Sequence, residues 1–501
     1  MIRQAVHFFL GTLISRLGGL LRELSMSACF GASALVGDFF ISYRWSNIFR
    51  RLLGEGGVSN GFIPMFERYR QEDPYKADLF FRDLFWSLAI LLVPTLFLFS
   101  LIFFGHIASF MMPGVIFIVF YALFMAFLQC HNHFFLPSVA PTIFNLIWVG
   151  GCFLFKSEEQ SYALKGIALC ISVAFFFQWV VLLPKTAKCL KIGLSDWLKI
   201  RPFSAEVKQL LKPLLLTLVG VAATQLNGAI DLLFAKWADP KGAAFLSYAI
   251  KLEQVPMALF GVAVSQAIAP LLARAYQGKN YAEYNLLTEK SLRITLKLLA
   301  PFTLLFFVAA PPFVSLIYGR GAFLDADVTH TAQALAFYTI GLVPAGLILL
   351  LAPSFYAAQD FRTPMKATFM AVGMNTFLNF LLVFVFSAGS WAIALTTSLS
   401  FWAQWAYLAW KLQAPYPLKS LVKHLLLVCL ITLISFYLFP DLYWSISYPT
   451  AILDKGWQLL NVAAVPFFLY TLGAFCLKDS AIVEKGGNIV DEKNLKPDVD
   501  A

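Results

Sequence analysis

The chain has 501 residues, of which 59% are hydrophobic and only 13% are charged, whereas an ordinary soluble domain has about 25% charged residues. This composition excludes a water-soluble fold. The formal net charge of +10 is compatible with nucleic-acid binding, but the basic residues lie mostly in short segments between apolar runs, so we expect no nucleic-acid partner.

Apolar runs of about 20 residues, the length that crosses about 30 Å of hydrocarbon, recur along the chain. They predict an all-α polytopic membrane protein with about fourteen transmembrane helices. The first run is long enough to remain in the membrane, so it is interpreted as a span and not as a cleaved signal peptide. The predicted spans are 5–26, 33–65, 79–104, 108–130, 139–156, 164–184, 210–235, 244–272, 292–318, 331–357, 366–387, 391–410, 421–439 and 458–477.

The basic residues are distributed unevenly between the two sets of loops. Loops after even-numbered spans hold fifteen of them, and loops after odd-numbered spans hold four. Because basic loops stay on the cytoplasmic side, this predicts that the N- and C-termini are both cytoplasmic. The fifteen are Arg68, Arg70, Lys76, Lys185, Lys188, Lys191, Lys199, Arg201, Lys208, Arg274, Lys279, Lys290, Arg362, Lys411 and Lys419, and the four are Lys236, Lys241, Arg320 and Lys455.

Two short patterns recur in the same order, which indicates an internal repeat. The pattern Ser-(Asn/Gln)-x-x-x-Pro-x-x-x-Arg begins at Ser59 and again at Ser265, 206 residues later. The pattern (Asn/Gln)-(His/Asp)-Phe-x-x-Pro begins at Asn132 and again at Gln359, 227 residues later. Both copies run in the same direction on the same side of the membrane, so each repeat must contain an even number of spans. Two six-helix lobes related by a parallel repeat fit, with a substrate site between them and two extra C-terminal helices.

These patterns divide the chain into five segments. Residues 1–184 form an N-lobe of spans 1 to 6, and 185–209 form a basic cytoplasmic linker. Residues 210–410 form a C-lobe of spans 7 to 12, and 411–477 form the additional helix pair. The polar tail 478–501 is predicted to be disordered.

Charged residues inside the first two spans predict an anion-binding site. An arginine at the centre of an inserting helix costs about 2.5–3.5 kcal/mol, so several of them in one lobe must face protein, water or a ligand. Arg44, Asn47 and Arg51 lie at helical spacing along one face, which continues to Glu55. Lys251 adds a cation in span 8. The polar set of spans 1 and 2 is Arg16, Arg22, Glu23, Asp38, Arg44, Asn47, Arg50, Arg51 and Glu55.

An alternative is that 50–57 is a cytoplasmic loop and that Arg22 extends to the membrane interface. The repeat favours membrane depth, because the corresponding stretch 255–269 of span 8 is apolar. A cationic cavity selects an anionic ligand, and arginine can bind phosphate oxygens through two parallel hydrogen bonds, which makes a diphosphate the natural candidate. Asp38, Glu55 and Glu23 would pair with these arginines in the empty cavity, or they form purely structural ion pairs.

The second lobe has its own polar set inside the membrane. Asp231, Asn375, Asn379 and Thr396, with Thr397 as an alternative hydroxyl, would offer oxygen ligands that suit Na⁺. Hydrogen bonding between helices explains the same residues. We expect no catalytic residues and no cofactor, because the sequence has no signature of a membrane enzyme, and Na⁺ or the membrane potential is the candidate driving force.

Two stretches of the first lobe have a distinctive residue spacing. They are Ser15-Arg16-Leu17-Gly18-Gly19-Leu20-Leu21-Arg22-Glu23, and Asn47-x-x-Arg50-Arg51-x-x-x-Glu55-Gly56 followed by Phe62-x-Pro64. Together they closely resemble the MurJ (MviN) family of lipid II flippases, in the multidrug/oligosaccharidyl-lipid/polysaccharide exporter (MOP) superfamily. Weaker agreement continues to span 12.

The resemblance implies a multi-pass protein of the bacterial inner membrane that flips lipid II, the undecaprenyl-diphosphate-linked peptidoglycan precursor, during cell-wall biogenesis. It also implies a V-shaped central cavity in which Arg16, Arg22, Arg50 and the residue at 251 face the diphosphate and sugars, and a lipid groove leading to spans 13 and 14. Membrane lipids are expected partners of a monomeric protein, and cell-wall synthesis proteins are candidate associates. Two positions depart from the family pattern: Lys251 replaces the usual arginine, and Asp38 lies one residue out of register.

The alternative function is another exporter of the same superfamily, either a polysaccharide-lipid flippase or a drug/cation antiporter. An antiporter predicts an acidic, aromatic cavity, which disagrees with the arginines of the first lobe. A polyprenyl-phosphate glycosyltransferase would share the arginines and the lipid but would need a catalytic carboxylate and nucleotide contacts, which the sequence does not place.

Overall fold

The computed structural model describes residues 2–49, 51, 59–412, 418–438 and 451–476. Across these ranges the regular secondary structure is helical throughout, which confirms the predicted all-α class. The chain divides into two compact units. The first unit is the described part of residues 1–233 with Gly321–Phe323, and the second is the rest of the described chain from Phe234 onward.

The first unit contains ten helices among its described residues, together with most of an eleventh that continues into the second unit. They are α1 (Ile2–Phe30), α2 (Ala34–Phe49), α3 (Ser59–Glu72), α4 (Pro74–Ile102), α5 (Ile107–Cys130), α6 (Phe135–Val139), α7 (Pro141–Phe155), α8 (Gln160–Val180), α9 (Leu183–Cys189), α10 (Leu194–Trp197) and α11 (Ala205–Ala238).

The second unit continues with ten described helices and two short π-helical stretches, Met257–Val262 and Leu381–Val385. The helices are α12 (Gly242–Pro256), α13 (Ala263–Gln277), α14 (Tyr281–Val308), α15 (Ala310–Tyr318), α16 (Asp325–Thr339), α17 (Leu342–Ala357), α18 (Arg362–Phe380), α19 (Trp391–Leu412), α20 (Leu418–Leu438) and α21 (Ile452–Cys476).

Every predicted span overlaps one or more of these helices, although several spans are interrupted. Span 10, for example, is the pair α16 and α17, which meet at an angle of 43°. Within the described residues, seven helices are long and apolar enough to cross a membrane, or eight if that bent pair counts as one span. The membrane class is therefore supported, and the number fourteen remains a prediction. The boundary between the units lies inside α11, beyond the linker at which we predicted it, and the assignment of lobes also remains a prediction.

The second repeated sequence pattern corresponds to the same turn in both units. Asn132 and Gln359 both have a left-handed backbone, with φ of 62° and 61°. In each turn the next residue donates its backbone N–H to the carbonyl five positions earlier, at 2.9 Å in both cases. This is the Schellman end of a helix, here terminating α5 and α17. The weak sequence echo therefore marks a structural repeat.

A second structural repeat has nearly the same spacing and was missed by the sequence reasoning. In the first unit, Ser172 of α8 donates to the Phe110 carbonyl at 2.6 Å, close to Gly114 of α5. In the second unit, Ser398 of α19 donates to the Phe337 carbonyl at 2.7 Å, close to Gly341.

The two glycines of this repeat permit equally close approach of the serine-bearing helices. A Cβ on Gly114 would lie 2.6 Å from Ser172 Cα, and a Cβ on Gly341 would lie 2.8 Å from Ser398 Cα. Small residues of this kind let membrane helices pack closely. Gly341 also lies at the bend between α16 and α17, so the same residue allows α19 to pack closely and lies where the two helices change direction.

The linker is an ordered part of the first unit. Its short helix α10 packs against the start of α4, where Trp197 lies 5.7 Å from Phe81 and 5.3 Å from Phe85 between ring centroids. Four hydrogen bonds fix its backbone. They join Asp78 Oδ2 to Lys191 N (2.7 Å), Arg82 Nη1 to Asp196 O (2.8 Å), Trp86 Nε1 to Trp197 O (2.9 Å) and Ser87 Oγ to Phe203 N (2.9 Å).

The C-terminal helix pair is attached to the second unit by packing and by one lysine. Ile431 of α20 and Val462 of α21 share a buried cluster with Leu304 of α14. Lys455, at the start of α21, is buried, and its ammonium donates to the carbonyl oxygens of Ser315 and Gly319. Gly319 is the C-cap of α15, so the lysine satisfies a terminal carbonyl of this helix and adds a second donor to the Ser315 carbonyl, which already accepts from the Gly319 backbone N–H.

Candidate functional site

Arg22 of α1 is held in position by its neighbours in the first unit. Its Nε and Nη2 donate to Glu23 Oε1 at 3.2 and 2.5 Å, and its Nη1 donates to Asn145 Oδ1 at 3.2 Å. The guanidinium carbon lies 4.8 Å from the ring centroid of Trp148 and 5.7 Å from that of Phe144, within the range of cation–π attraction. These contacts fix both the position and the plane of the guanidinium.

The Arg22 guanidinium has N–H groups that are not used by Glu23 or Asn145. A guanidinium has five N–H groups, and the contacts to Glu23 and Asn145 use three. One N–H therefore remains on Nη1 and one on Nη2. The Arg22 side chain is 15% exposed, and an arginine with two free N–H groups can bind a phosphate through two parallel hydrogen bonds.

The motif at the end of span 1 supplies this arrangement because its residues share one helical face. Ser15, Gly18 and Arg22 follow each other at intervals of three and four residues, which places them in a row along α1. The Ser15 carbonyl accepts a hydrogen bond from Asn145 Nδ2 at 3.0 Å. A Cβ on Gly18 would lie 3.2 Å from both Cβ and Nδ2 of Asn145. The absence of a side chain at Gly18 thus lets α7 bring Asn145 against α1.

A second arginine packs directly against the backbone of another helix. The Arg44 guanidinium of α2 lies against Gly228 of α11, where a Cβ would overlap its Nη2. Asp38, Arg44, Asn47 and Arg51 are all half-buried. Gly228 therefore provides the space in which one of these arginines lies.

The other predicted anion-site residues differ in their exposure. Arg16 is exposed on α1, and Lys251 is half-buried on α12 in the second unit. Arg50 and Glu55 lie outside the described residues, so the choice between a loop and membrane depth for 50–57 stays open. Of the predicted set, the described structure joins Arg22 to Glu23, the predicted ion-pair residue, which is 6% exposed.

Residues of the predicted cation site make local hydrogen bonds within each unit. In the first unit, Asn227 Nδ2 donates to Asp231 Oδ2 at 3.4 Å, and Asp231 is buried. In the second unit, Asn379 of α18 accepts a hydrogen bond from Thr396 of α19.

Asn375 lies one helical turn before Asn379 and, like Asn379 and Thr396, is fully buried. Thr397 donates to the Ile393 carbonyl at 2.8 Å. Buried carboxylate, amide and hydroxyl oxygens are ligands that suit a hard cation, and the same contacts are also ordinary interhelical hydrogen bonds. The cation site therefore remains a prediction.

Sequence reasoning missed several residues that shape the site. Asn145 and Trp148 lie in an apolar span and were not selected, although Asn145 is the only amide side chain in the sequence of that span and could have been noticed for that reason. Nothing in a single sequence indicates that Gly228 lies against an arginine of another helix. Glu253 was also missed: it is a buried carboxylic acid on α12, two residues after Lys251.

The helical fold and the apolar helices of membrane-crossing length define a polytopic integral membrane protein. The structure is similar to the solved structure of "Lipid II flippase MurJ, inward closed conformation", with a TM-score of 0.77, 20% identity, and coverage of 94% of this chain and 98% of that one. It is also similar to an inward-facing multidrug resistance MATE family transporter of the MOP superfamily, with a TM-score of 0.64, 15% identity, and coverage of 81% and 97%. These likenesses establish the fold.

The sequence pattern that defines the family "Lipid II flippase MurJ" matches residues 26–450. A lipid II flippase MurJ of Burkholderia cenocepacia is 30% identical over 394 residues, which cover 74% of this chain and 76% of that protein. A probable lipid II flippase MurJ of Chlamydia trachomatis is 28% identical over 421 residues, covering 81% and 78%. The chain belongs to the MurJ family, as the residues of spans 1 and 2 predicted, and it is a transporter and not an enzyme.

The family match begins at residue 26, just after Arg22. Arg22 and its contacts with Glu23 therefore lie in the part of α1 that precedes the matched region.

Proposed function

We propose that this protein is a lipid II flippase that moves the lipid-linked peptidoglycan precursor from the inner to the outer leaflet by alternating access. The observation that carries the proposal is the Arg22 guanidinium, fixed by Glu23 and Asn145 while two N–H groups remain available. Membership of the MurJ family supports the choice of substrate.

The chemistry of the headgroup explains why fixed arginines are needed. A diphosphate that leaves water loses strong hydration, and only several convergent donors replace it. Arg22 offers two donors without a further loss of side-chain conformational entropy, because Glu23, Asn145 and Trp148 already hold the side chain in place. Glu23 neutralises part of its charge before the anion arrives, so the buried guanidinium always has a counter-charge. No covalent bond is made or broken in the cycle.

Arg16, Arg50, Arg51, Asn47 and Lys251 complete the proposed cationic binding surface. Lys251 is expected to contribute less than an arginine would, because an ammonium is a flexible point charge and lacks the planar pair of donors. Asp38 and Glu55 are proposed as further pairing groups of the arginines while no substrate is bound.

Sodium is the proposed driving ion, bound by Asp231, Asn375, Asn379 and Thr396. Asp231→Asn removes the single formal negative charge of this set, so we expect transport by the variant to lose its dependence on sodium and to slow. Transport is measured with sodium replaced by potassium at constant ionic strength. Thr397→Ser, which keeps the hydroxyl, serves as the control, and Asp231→Asn with normal sodium dependence would refute the site.

The proposed topology places both termini and the linker in the cytoplasm and the segment 441–455 outside. In a variant freed of its own cysteines, a membrane-impermeant thiol reagent added to whole cells should label Ala451→Cys and leave Ser195→Cys unlabelled until the cells are opened. Both positions are exposed, so the difference reports the side of the membrane. The reverse labelling pattern would overturn the orientation.

The proposed function is tested by growth. Expression of this chain in a bacterium depleted of its own lipid II flippase should restore growth and cell shape, whereas the empty vector should not. A polysaccharide-lipid flippase or a drug antiporter would reach the membrane at the same level without rescue, and that result would overturn the assignment of lipid II.

A further inference from the structure

Four large apolar side chains of the linker point away from the protein. Leu194 is 74% exposed, Leu198 60%, Ile200 52% and Phe203 38%. They lie within ten residues of one another in a segment between two predicted spans. Clusters of exposed apolar residues on a surface mark an interaction with a partner or a membrane.

Basic side chains surround this apolar cluster. Lys188, Lys191, Lys199 and Arg201 are all exposed. The acid among them, Asp196, is already engaged, since it accepts from Lys199 Nζ at 2.8 Å and from Tyr75 OH at 2.9 Å. These two hydrogen bonds, that of Lys199 first, hold the pKa of the Asp196 carboxyl below its usual range. The surface that remains available is apolar at its centre and positive around it.

The attachment to α4 fixes the level of this surface. The residues of α4 that hold the linker backbone, Asp78, Arg82, Trp86 and Ser87, belong to its first four turns, and the charged residues of α4 all lie in this part. Beyond Trp86 the helix continues as an apolar membrane-crossing segment. The linker is therefore held where the polar end of a span changes to its apolar body, which is the depth of the lipid headgroups.

We propose that residues 188–203 of the linker form a membrane-surface site that binds the anionic phospholipids of the leaflet on its side. Leu194, Leu198, Ile200 and Phe203 enter the boundary between headgroups and acyl chains, and the surrounding lysines and arginine bind lipid phosphates. An apolar centre with a basic border is the composition of segments that lie in the membrane interface. An acidic protein would match the charge but not the exposed apolar centre, which favours lipid. The inference does not depend on which lipid is transported.

The apolar part is tested with the full-length protein, freed of its own cysteines, in nanodiscs of an equal mixture of phosphatidylcholine and phosphatidylglycerol. A fluorophore on Leu198→Cys should be quenched by lipids that carry a nitroxide near the headgroup and protected from iodide in water. The matched control is Gln71→Cys, an exposed polar position near the end of α3, four residues before Tyr75. Equal lipid quenching and equal iodide protection of the labels at 198 and 71 would overturn the proposal. Shielding of the label at 198 in native membranes but not in nanodiscs would also overturn it, because that result would identify a protein as the occupant.

The charged part is tested by comparing two quencher lipids. Nitroxide-labelled phosphatidylglycerol should quench the label at 198 more than labelled phosphatidylcholine at the same content, and high salt should reduce the difference. Each basic residue near an anionic surface favours binding by about fivefold, so Lys188→Gln, Lys191→Gln and Arg201→Gln combined should remove the preference. Equal quenching by the two lipids in the unmodified linker would show that anionic headgroups are not bound.

Discussion

Replacing Arg22 by alanine is expected to abolish rescue of growth while the protein still reaches the membrane. Truncating one partner of a buried, hydrogen-bonded charge pair costs about 2–5 kcal/mol, so lipid II affinity should fall at least about thirtyfold. Arg22→Lys should restore growth poorly. An ammonium keeps the positive charge, but it lacks the planar set of donors that lets a guanidinium bind Glu23, Asn145 and a phosphate at the same time. Binding of lipid II to the purified variants is the measurement.

Two further variants separate a loss of ligand binding from a loss of folding. Arg22→Ala removes the guanidinium that contacts the buried Glu23 at 2.5 Å, and breaking a buried ion pair from one side itself destabilises a protein. The double variant Arg22→Leu with Glu23→Gln removes both charges, so it should recover thermal stability without recovering lipid II binding. Arg68→Ala is the charge-matched control, since that side chain is 73% exposed. Normal affinity in Arg22→Ala would mean that the arginine is structural and has no role in binding the substrate.

Replacing Arg82 by leucine is expected to lower the free energy of unfolding of the protein substantially, because it breaks a buried ion pair. Arg82 Nε and Nη2 donate to Asp83 Oδ1 at 2.8 and 2.6 Å, and the two side chains are 4% and 9% exposed. Breaking such a buried pair from one side costs about 3–5 kcal/mol. The variant also loses the hydrogen bond to the Asp196 carbonyl that holds the linker. Thermal unfolding of the purified protein should therefore begin at a clearly lower temperature.

An exposed ion pair on the same part of the chain provides the comparison for Arg82. Lys76 and Glu72 are 3.1 Å apart and are both 45% exposed, and such pairs contribute about 0–1 kcal/mol. Lys76→Leu should consequently leave the unfolding temperature almost unchanged. If Arg82→Leu and Lys76→Leu have equal effects, the buried pair does not stabilise the linker or the start of α4.

The sequence alone was sufficient for the class of fold and for the family. Apolar runs of span length mark the long helices of the described chain, because a membrane helix must be apolar over its whole length, whereas the short helix α10 lies in the predicted linker. The repeat was visible at Asn132 and Gln359, where a helix end constrains the backbone. It was invisible at Gly114 and Gly341, because a glycine and a serine that meet across helices leave no pattern along the chain.

The site was predicted less completely than the fold. Arg22 and Glu23 could be selected because charges in an apolar span are costly. Asn145, Trp148 and Gly228 could not be assigned a role, since their importance depends on which helix lies beside α1 or α2. The linker was predicted as a basic segment, but its attachment to α4 depends on tertiary hydrogen bonds made by backbone groups, which no residue pattern specifies.

The most direct test of the account is the amount of lipid II on the outer face of cells that depend on this chain. In a bacterium depleted of its own flippase, an externally added enzyme that cleaves the diphosphate of lipid II reports the exposed fraction. We predict that the unmodified chain restores external cleavage and that Arg22→Ala, present at the same level in the membrane, does not. External cleavage that stays absent with the unmodified chain would contradict the proposed function, and equal cleavage with Arg22→Ala would contradict the proposed site.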